Sequence, residues 1–229
     1  MSQMDVHQIA KIKVAGWQKL SLIDYPGKMA AVIFLAGCNM RCHYCHNHHI
    51  WDVRQNRMSF EKILAELRQR IVWLDAVVVS GGEPTVSVDL VPILQALRKL
   101  GLLIKLDTNG TRPEIVRQVV NTGLVDFVAL DIKAPAAKYV AITGKPIDKV
   151  LVTAQFLKAQ NRVSYMFRTT LSPLLDEKDL LEMGQKIING ASCWQIQQCR
   201  IANAYSVEKV QKIVGSIKKC VPHIVFTGI

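Results

Sequence analysis

Short apolar runs recur along the chain, each the length of one buried strand, and stretches with helical spacing fill the intervals between them. The runs Ala31 to Leu35, Ala76 to Val79, Leu102 to Leu106, Phe127 to Asp131, Ser164 to Thr169, Trp194 to Gln197 and His223 to Phe226 are predicted strands. Helices are predicted over Phe60 to Trp73, Leu90 to Leu100, Pro113 to Asn121, Asp148 to Gln160, Glu177 to Ile188 and Val207 to Lys219. Ser59 before Phe60, Gly101 after Leu100, Gly123 soon after Asn121 and Gly190 after Asn189 supply start and stop signals. Asp176 and Glu177 place negative charge where a helix amino end attracts it. Residues Gln8 to Lys28 read as a short hairpin or extension that ends in the tight turn Asp24-Tyr25-Pro26-Gly27.

Strands that are apolar on both faces and separated by helices predict a parallel sheet with right-handed crossovers. Six or seven such units make an α/β barrel, full or partial. Functional groups of barrels gather at the C-terminal ends of their strands. Here those ends are Gly37 with a cysteine loop, Ser80-Gly81-Gly82-Glu83-Pro84, Asp107-Thr108-Asn109-Gly110, Asp131-Ile132-Lys133, Arg168-Thr169 and Gln197-Gln198. All are polar or glycine-rich, as one continuous ligand rim would be.

A chain of 229 residues fits one domain over 1–229, with an extension at 1–28 and the barrel at 29–229. Half its residues are apolar and 21% are charged, which is ordinary for a globular protein. No stretch approaches the eighteen apolar residues of a membrane span, and Met1 to Ala10 lack the apolar core of a signal peptide. The expected location is the cytoplasm, with no membrane partner. The net charge of +11 is spread over short pairs such as Arg98-Lys99 and Lys218-Lys219, so nucleic acid is not the expected partner. A basic surface does favour an acidic partner or an anionic ligand. Cys193, Cys199 and Cys220 have no ligand spacing and read as reduced thiols.

Cys38, Cys42 and Cys45 are different: they crowd one loop as C-x3-C-x2-C directly after an apolar strand. Three thiolates there suit three irons of a four-iron cluster, with the fourth iron left for a small molecule. A disulfide framework fits poorly, because three close cysteines cannot pair evenly. Zinc stays open as a rival, since His43, His46, His48 and His49 are at hand to complete a tetrahedral set. Gly81 and Gly82 either make a tight turn or let the backbone approach a ligand, with strand-end carbonyls and Glu83 facing an ammonium group. Asp107 and Asp131 also have two readings. They cap helices or pair with Lys105 or Lys133, or they hold a cation or, with Asn109, ribose hydroxyls. Arg168 is a surface arginine or a partner for a carboxylate.

Cys38-Asn39-Met40-Arg41-Cys42-His43-Tyr44-Cys45, followed one βα unit later by Gly81-Gly82-Glu83-Pro84, resembles the radical S-adenosylmethionine superfamily. Cys45-His46-Asn47 with Trp51-Asp52, Asp107-Thr108-Asn109-Gly110 and Leu130-Asp131-Ile132-Lys133 is similar to its glycyl-radical-enzyme activating group. The segment from Gly16 to Lys28 resembles the anaerobic ribonucleoside-triphosphate reductase activating proteins within that group. The resemblance runs from about Gly16 to Arg168. It implies a partial (β/α)6 barrel with a [4Fe-4S] cluster on Cys38, Cys42 and Cys45, and S-adenosylmethionine on the open iron, its amino group received at Gly81, Gly82 and Glu83. It further implies a glycyl radical enzyme as protein substrate and a low-potential electron donor such as flavodoxin or ferredoxin. Tyr44 matches an aromatic beside the adenine, Arg168 a contact to the ligand carboxylate, and Asp107, Thr108 and Asp131 a monovalent-cation site. Near the sixth strand the chain departs from the pattern, with Gln198, Cys199 and Arg200 where relatives place a histidine. No cysteine-rich insertion is present, so a second cluster is not expected. The alternatives are a radical enzyme acting on a small molecule or RNA base, and a zinc-binding interaction module.

Overall fold

The computed structural model describes residues 6–199, 205–218 and 221–227. They group into two compact units, each assembled from separated segments. The first comprises Met1–Asn39, Asn47–Thr108 and Glu114–Val128; the second comprises Met40–His46, Asn109–Pro113 and Ala129–Ile229.

The first unit begins with helix α1 (Val6–Lys11) and strands β1 (Lys13–Val14), β2 (Gly16–Ser21) and β3 (Ala30–Leu35). It continues through β4 (Met58–Ser59), α2 (Phe60–Arg70), β5 (Ala76–Gly81), α3 (Leu90–Arg98), β6 (Leu103–Thr108) and α4 (Pro113–Asn121). Its sheet is parallel from β3 through β5 to β6, and β2 adds antiparallel to β3, as a hairpin should. The small β1–β4 pair stands apart. Strands β3 and β5 are buried on both faces, because their alanine and branched side chains pack whichever way they point. On one face Tyr25 joins Ala30, Val32, Ala76 and Val78, with Phe34, Leu103 and Phe127 against them. Tyr25 is where the predicted extension ends, so that turn is tied to the core. Ser59 caps α2 by accepting from the Lys62 amide, as the sequence signalled.

Strand β7 (Phe127–Asp131) starts in the first unit and finishes in the second. The second unit holds α5 (Ala136–Thr143), α6 (Asp148–Ala159), β8 (Ser164–Leu171), α7 (Glu177–Met183), β9 (Cys193–Gln198), α8 (Val207–Ile217) and β10 (His223–Thr227). Strands β8, β9 and β10 are parallel neighbours. A capping box between Asp176 and Asp179 starts α7. Strand order is β7-β6-β5-β3-β2 in one unit and β10-β9-β8-β7 in the other; among the described residues β2 and β10 lack a second neighbour, so the sheet stays open. That settles the barrel as partial. Several details differ from the sequence reading. Helices α1 and α5 were not predicted, the helix expected over Phe60 to Trp73 gives way to a 3-10 turn at Ile71–Trp73, and the helix expected over Glu177 to Ile188 passes into a π turn at Gly184–Ile188. The predicted end of α8 at Lys219 lies outside the described residues.

Candidate active site

In the first unit the cysteine loop leaves β3 under tight restraint. The Ala36 amide donates to Asn56 Oδ1 at 2.8 Å, the Gly37 amide to the Ile50 carbonyl at 2.9 Å, and the Cys38 amide to the Trp51 carbonyl at 3.2 Å. Trp51 thus serves the loop through its backbone. Leu35 is registered against Gly81, and there the two strand ends touch main chain to main chain. The Gly82 amide donates to the Leu35 carbonyl and the Glu83 amide to the Gly37 carbonyl, both at 2.8 Å. A Cβ on Gly81 would stand 2.3 Å from the Leu35 oxygen; one on Gly82 would stand 2.3 Å from the Gly37 oxygen and 3.3 Å from Cys38 Cβ. Gly81 also has φ +124°, which L side chains rarely adopt. Both glycines are therefore required to seat the strand end beside the first cysteine, before any ligand is considered.

The Glu83 carboxylate is buried, and its Oε1 accepts from the Thr85 amide at 3.1 Å, the Thr85 hydroxyl and the Thr108 hydroxyl at 2.7 Å. Asp107 pairs with Lys105, and its Oδ2 accepts from Ser80 Oγ at 3.0 Å. The ion-pair reading of Asp107 is the one the structure displays.

In the second unit the loop continues through Cys42, which is buried, and Cys45, which is partly so. The Arg41 amide donates to the Thr143 carbonyl at 2.9 Å, which ties the loop to the end of α5. His43 Nε2 lies 3.0 Å from Ser172 Oγ, and His46 is exposed. Asp131 stands between two cations: Arg168 Nε donates to Oδ1 at 2.6 Å, and Lys133 Nζ to Oδ2 at 3.0 Å. Burial opposes the charge on Asp131, but Arg168 and Lys133 outweigh it and hold the carboxyl well below the usual carboxylate range. Burial likewise opposes the charge on Lys133, and Asp131 more than compensates, so the ammonium persists far above its ordinary range. Burial pushes the Cys42 thiol up, partly offset by Lys133. Tyr44 and Tyr139 are pushed up chiefly by burial, and neither hydroxyl has a hydrogen-bond partner among the described residues.

Asn109 turns its carboxamide oxygen to its own loop, accepting from the Thr111 amide at 3.0 Å and hydroxyl at 2.7 Å. Gln198 Nε2 donates to the Tyr205 carbonyl at 2.8 Å. Cys199 is buried, while Arg200 and Cys220 lie outside the described residues. Cys38, Cys42, Cys45, Cys193 and Cys199 are not joined in disulfides. Among the described residues no three His, Cys, Asp or Glu side chains are grouped to hold a single metal ion. A four-iron cluster asks for something else, one thiolate on each of several irons. Sequence reasoning named Lys133 as a pairing partner for Asp131, as the structure has it, but missed Tyr139 and Ser172. A proline just before α5 and a left-handed glycine just after it were the available signals for the helix that carries Tyr139.

Residues 32–187, more than half of the chain, match the family described as the Radical SAM superfamily. The chain belongs to the radical SAM superfamily. It is 36% identical over 205 residues to the Methanocaldococcus jannaschii protein named "Putative glycyl-radical enzyme activating enzyme", across 86% of this chain and 84% of that one. It is 28% identical over 180 residues to the pyruvate formate-lyase-activating enzyme of Streptococcus mutans, across 72% of this chain and 68% of the relative. Among solved structures, Streptococcus suis SuiB bound to precursor peptide SuiA superposes with a TM-score of 0.70 over 86% of this chain, at 14% identity. This chain spans about half of that one, 48%, and the likeness concerns the fold alone. The superfamily is one of radical enzymes, and membership implies a [4Fe-4S] cluster and S-adenosylmethionine. No helix among the described residues is long and apolar enough to cross a membrane.

Proposed function

We propose that this chain activates a glycyl radical enzyme, with anaerobic ribonucleoside-triphosphate reductase as the partner. The observation that carries the reading is the 36% identity to a protein named for that activity, spread over 84% of its length. The N-terminal segment from Gly16 to Lys28 points to the reductase in particular. Cys38, Cys42 and Cys45 are the proposed cluster ligands. The donor set fits, because none of the three is joined in a disulfide and all lie on one loop, and the strand end beside Cys38 is shaped by glycines that leave no room for a Cβ. When bound, the cluster and S-adenosylmethionine supply the electron transfer and the 5'-deoxyadenosyl radical that takes a hydrogen atom from a glycine backbone.

The protein's own residues bind, orient and shield. Gly81, Gly82 and Glu83 would hold the ligand's amino group, with the Glu83 carboxylate braced by Thr85 and Thr108. Arg168, already oriented by Asp131, would hold the ligand carboxylate, and Tyr44 would flank the adenine. Asp107, Asn109 and Asp131 complete the polar strand ends. The basic surface suits an acidic low-potential donor such as flavodoxin or ferredoxin in the cytoplasm.

The test is anaerobic mixing of reconstituted protein, S-adenosylmethionine and a reductant with the candidate reductase of the same genome. Electron paramagnetic resonance should then show the doublet of a glycine-centred radical. Cleavage of S-adenosylmethionine without that doublet would sink the partner assignment. A colourless protein with stoichiometric zinc would sink the whole reading.

A further inference from the structure

The stretch that carries Cys42 is seated on both sides by the second unit. Before the cysteine, the Arg41 amide donates to the Thr143 carbonyl at the end of α5, at 2.9 Å. After it, the His43 side chain reaches away from the loop, and its Nε2 lies 3.0 Å from Ser172 Oγ. The Cys45 amide donates to the Cys42 carbonyl at 3.0 Å, which turns the chain between the two cysteines. His43 is exposed, whereas Ser172 is fully buried.

Ser172, directly after β8, is a fixed point. Its hydroxyl accepts from the Leu174 amide at 3.2 Å, and its carbonyl accepts from the Leu175 amide at 3.0 Å. Lys138 of α5 donates to the Leu174 carbonyl at 3.1 Å and to Asp179 of α7 at 2.7 Å, and the Tyr205 hydroxyl donates to the Leu175 carbonyl. The helix that receives Arg41 therefore also holds the turn that receives His43. A hydroxyl donates as well as accepts, so Ser172 answers His43 whichever ring nitrogen carries the proton, and it brings no charge to the loop.

We propose that Ser172 is a positioning residue for the cysteine loop: through His43 it holds the turn from Cys42 to Cys45 in its ligand-ready form before any cofactor arrives. Ligands that must be ordered on binding spend part of the binding free energy on their own ordering, and a latched turn avoids that loss. The inference rests on Cys42 and Cys45 as the ligands of the proposed function. The latch itself is a property of the chain without cofactor.

The experiment compares wild type with Ser172→Ala, His43→Leu, the double variant, and His43→Gln, whose carboxamide can still bond a hydroxyl. Amide hydrogen exchange of the apo protein is read first, because it needs no cofactor. Ser172→Ala and His43→Leu should each speed exchange of the amides from Cys42 to Cys45 about five-fold, the order of one net hydrogen bond, with β8 and α5 unchanged. The double variant should exchange no faster than either single one, since both remove the same contact. His43→Gln should keep most of the protection. On reconstituted protein, anaerobic release of iron to a chelator should follow the same pattern. Single effects that multiply in the double variant overturn the proposal, as do unchanged exchange, unchanged iron release, or a His43→Gln protein as labile as His43→Leu. So does faster exchange throughout β8 and α5 in Ser172→Ala, which would make Ser172 a packing residue. If Ser172→Ala does not fold, the two His43 variants decide, because that side chain is exposed. A wild type that takes up no cluster would count against the proposed function, and the apo exchange would still judge Ser172.

Discussion

The strand-end acids of the two units are satisfied in different ways. In the first unit Asp107 has its lysine and serine, and Glu83 its two threonines, all from strand ends or the turn that follows. In the second, Asp131 is flanked by two cations, and the buried hydroxyls of Tyr44 and Tyr139 nearby end without partners. Buried polar groups are nearly always hydrogen-bonded, so an orphaned pair marks a place that something else completes. The first arrangement braces its acids with neighbours of the same unit; the second leaves two buried hydroxyls without a partner among the described residues.

The comparison is broken most completely at Cys42. If the second unit serves a cluster, Cys42→Ala should abolish reductive cleavage of S-adenosylmethionine and lower iron content, while circular dichroism of the apo form stays unchanged. Cleavage that survives the substitution would refute the ligand assignment. In the first unit Gly82→Val is the harshest change, because its side chain would strike the Gly37 carbonyl. It should cost about 3 kcal/mol in urea melts of the apo protein, the upper end of ordinary overpacking, because the clash is with main chain. If only ligand affinity falls, the close-packing account of Gly82 is wrong.

Asp131→Asn leaves Arg168 and Lys133 facing a neutral group. Removing one partner of a buried ion pair costs roughly 3–5 kcal/mol, discounted here because all three side chains keep some solvent contact, so about 2 kcal/mol is expected. The sign of the pH dependence follows. The folded carboxyl is depressed relative to the unfolded one, so its contribution is complete above the unfolded value near pH 4 and drains away as pH falls below it. Melts from pH 7 to pH 3 should therefore converge for wild type and Asp131→Asn; parallel curves would show that Asp131 does not carry the acid sensitivity. The smallest effect is expected at Tyr139→Phe, which deletes an unpartnered hydroxyl and should leave apo stability within about 1 kcal/mol or raise it. A loss of several kcal/mol would mean that an ordered water already completes that site.

Much of this molecule was legible in its sequence because periodicity reports burial. Phe127 to Asp131 and Pro113 to Asn121 have the limits read from the chain, and strands such as β5 and β8 simply extend two residues further into their polar ends. The cysteine triplet was equally plain, since its spacing alone states the chemistry. Less could be read where a residue has two uses. Lys105 and Lys133 were visible as pairing candidates, but period two in a strand shows which side a group faces and not whether it meets salt bridge or ligand. Tyr139 was hidden because α5 is only eight residues long with a weakly one-sided pattern. Asn56 and Ser172, which brace the loop at Ala36 and at His43, are far from it in sequence and belong to no motif.

The contact between Gly82 and the Gly37 carbonyl has a bearing on how variants of this chain will diversify. A side chain that collides with another side chain can be accommodated by trimming its neighbour, but a collision with the peptide bond itself offers no such second-site repair. Libraries selected only for soluble expression, with no nucleotide or iron supplied, should thus retain glycine at 81 and 82. Invariance there would testify to carpentry, and it would be a poor guide to catalysis.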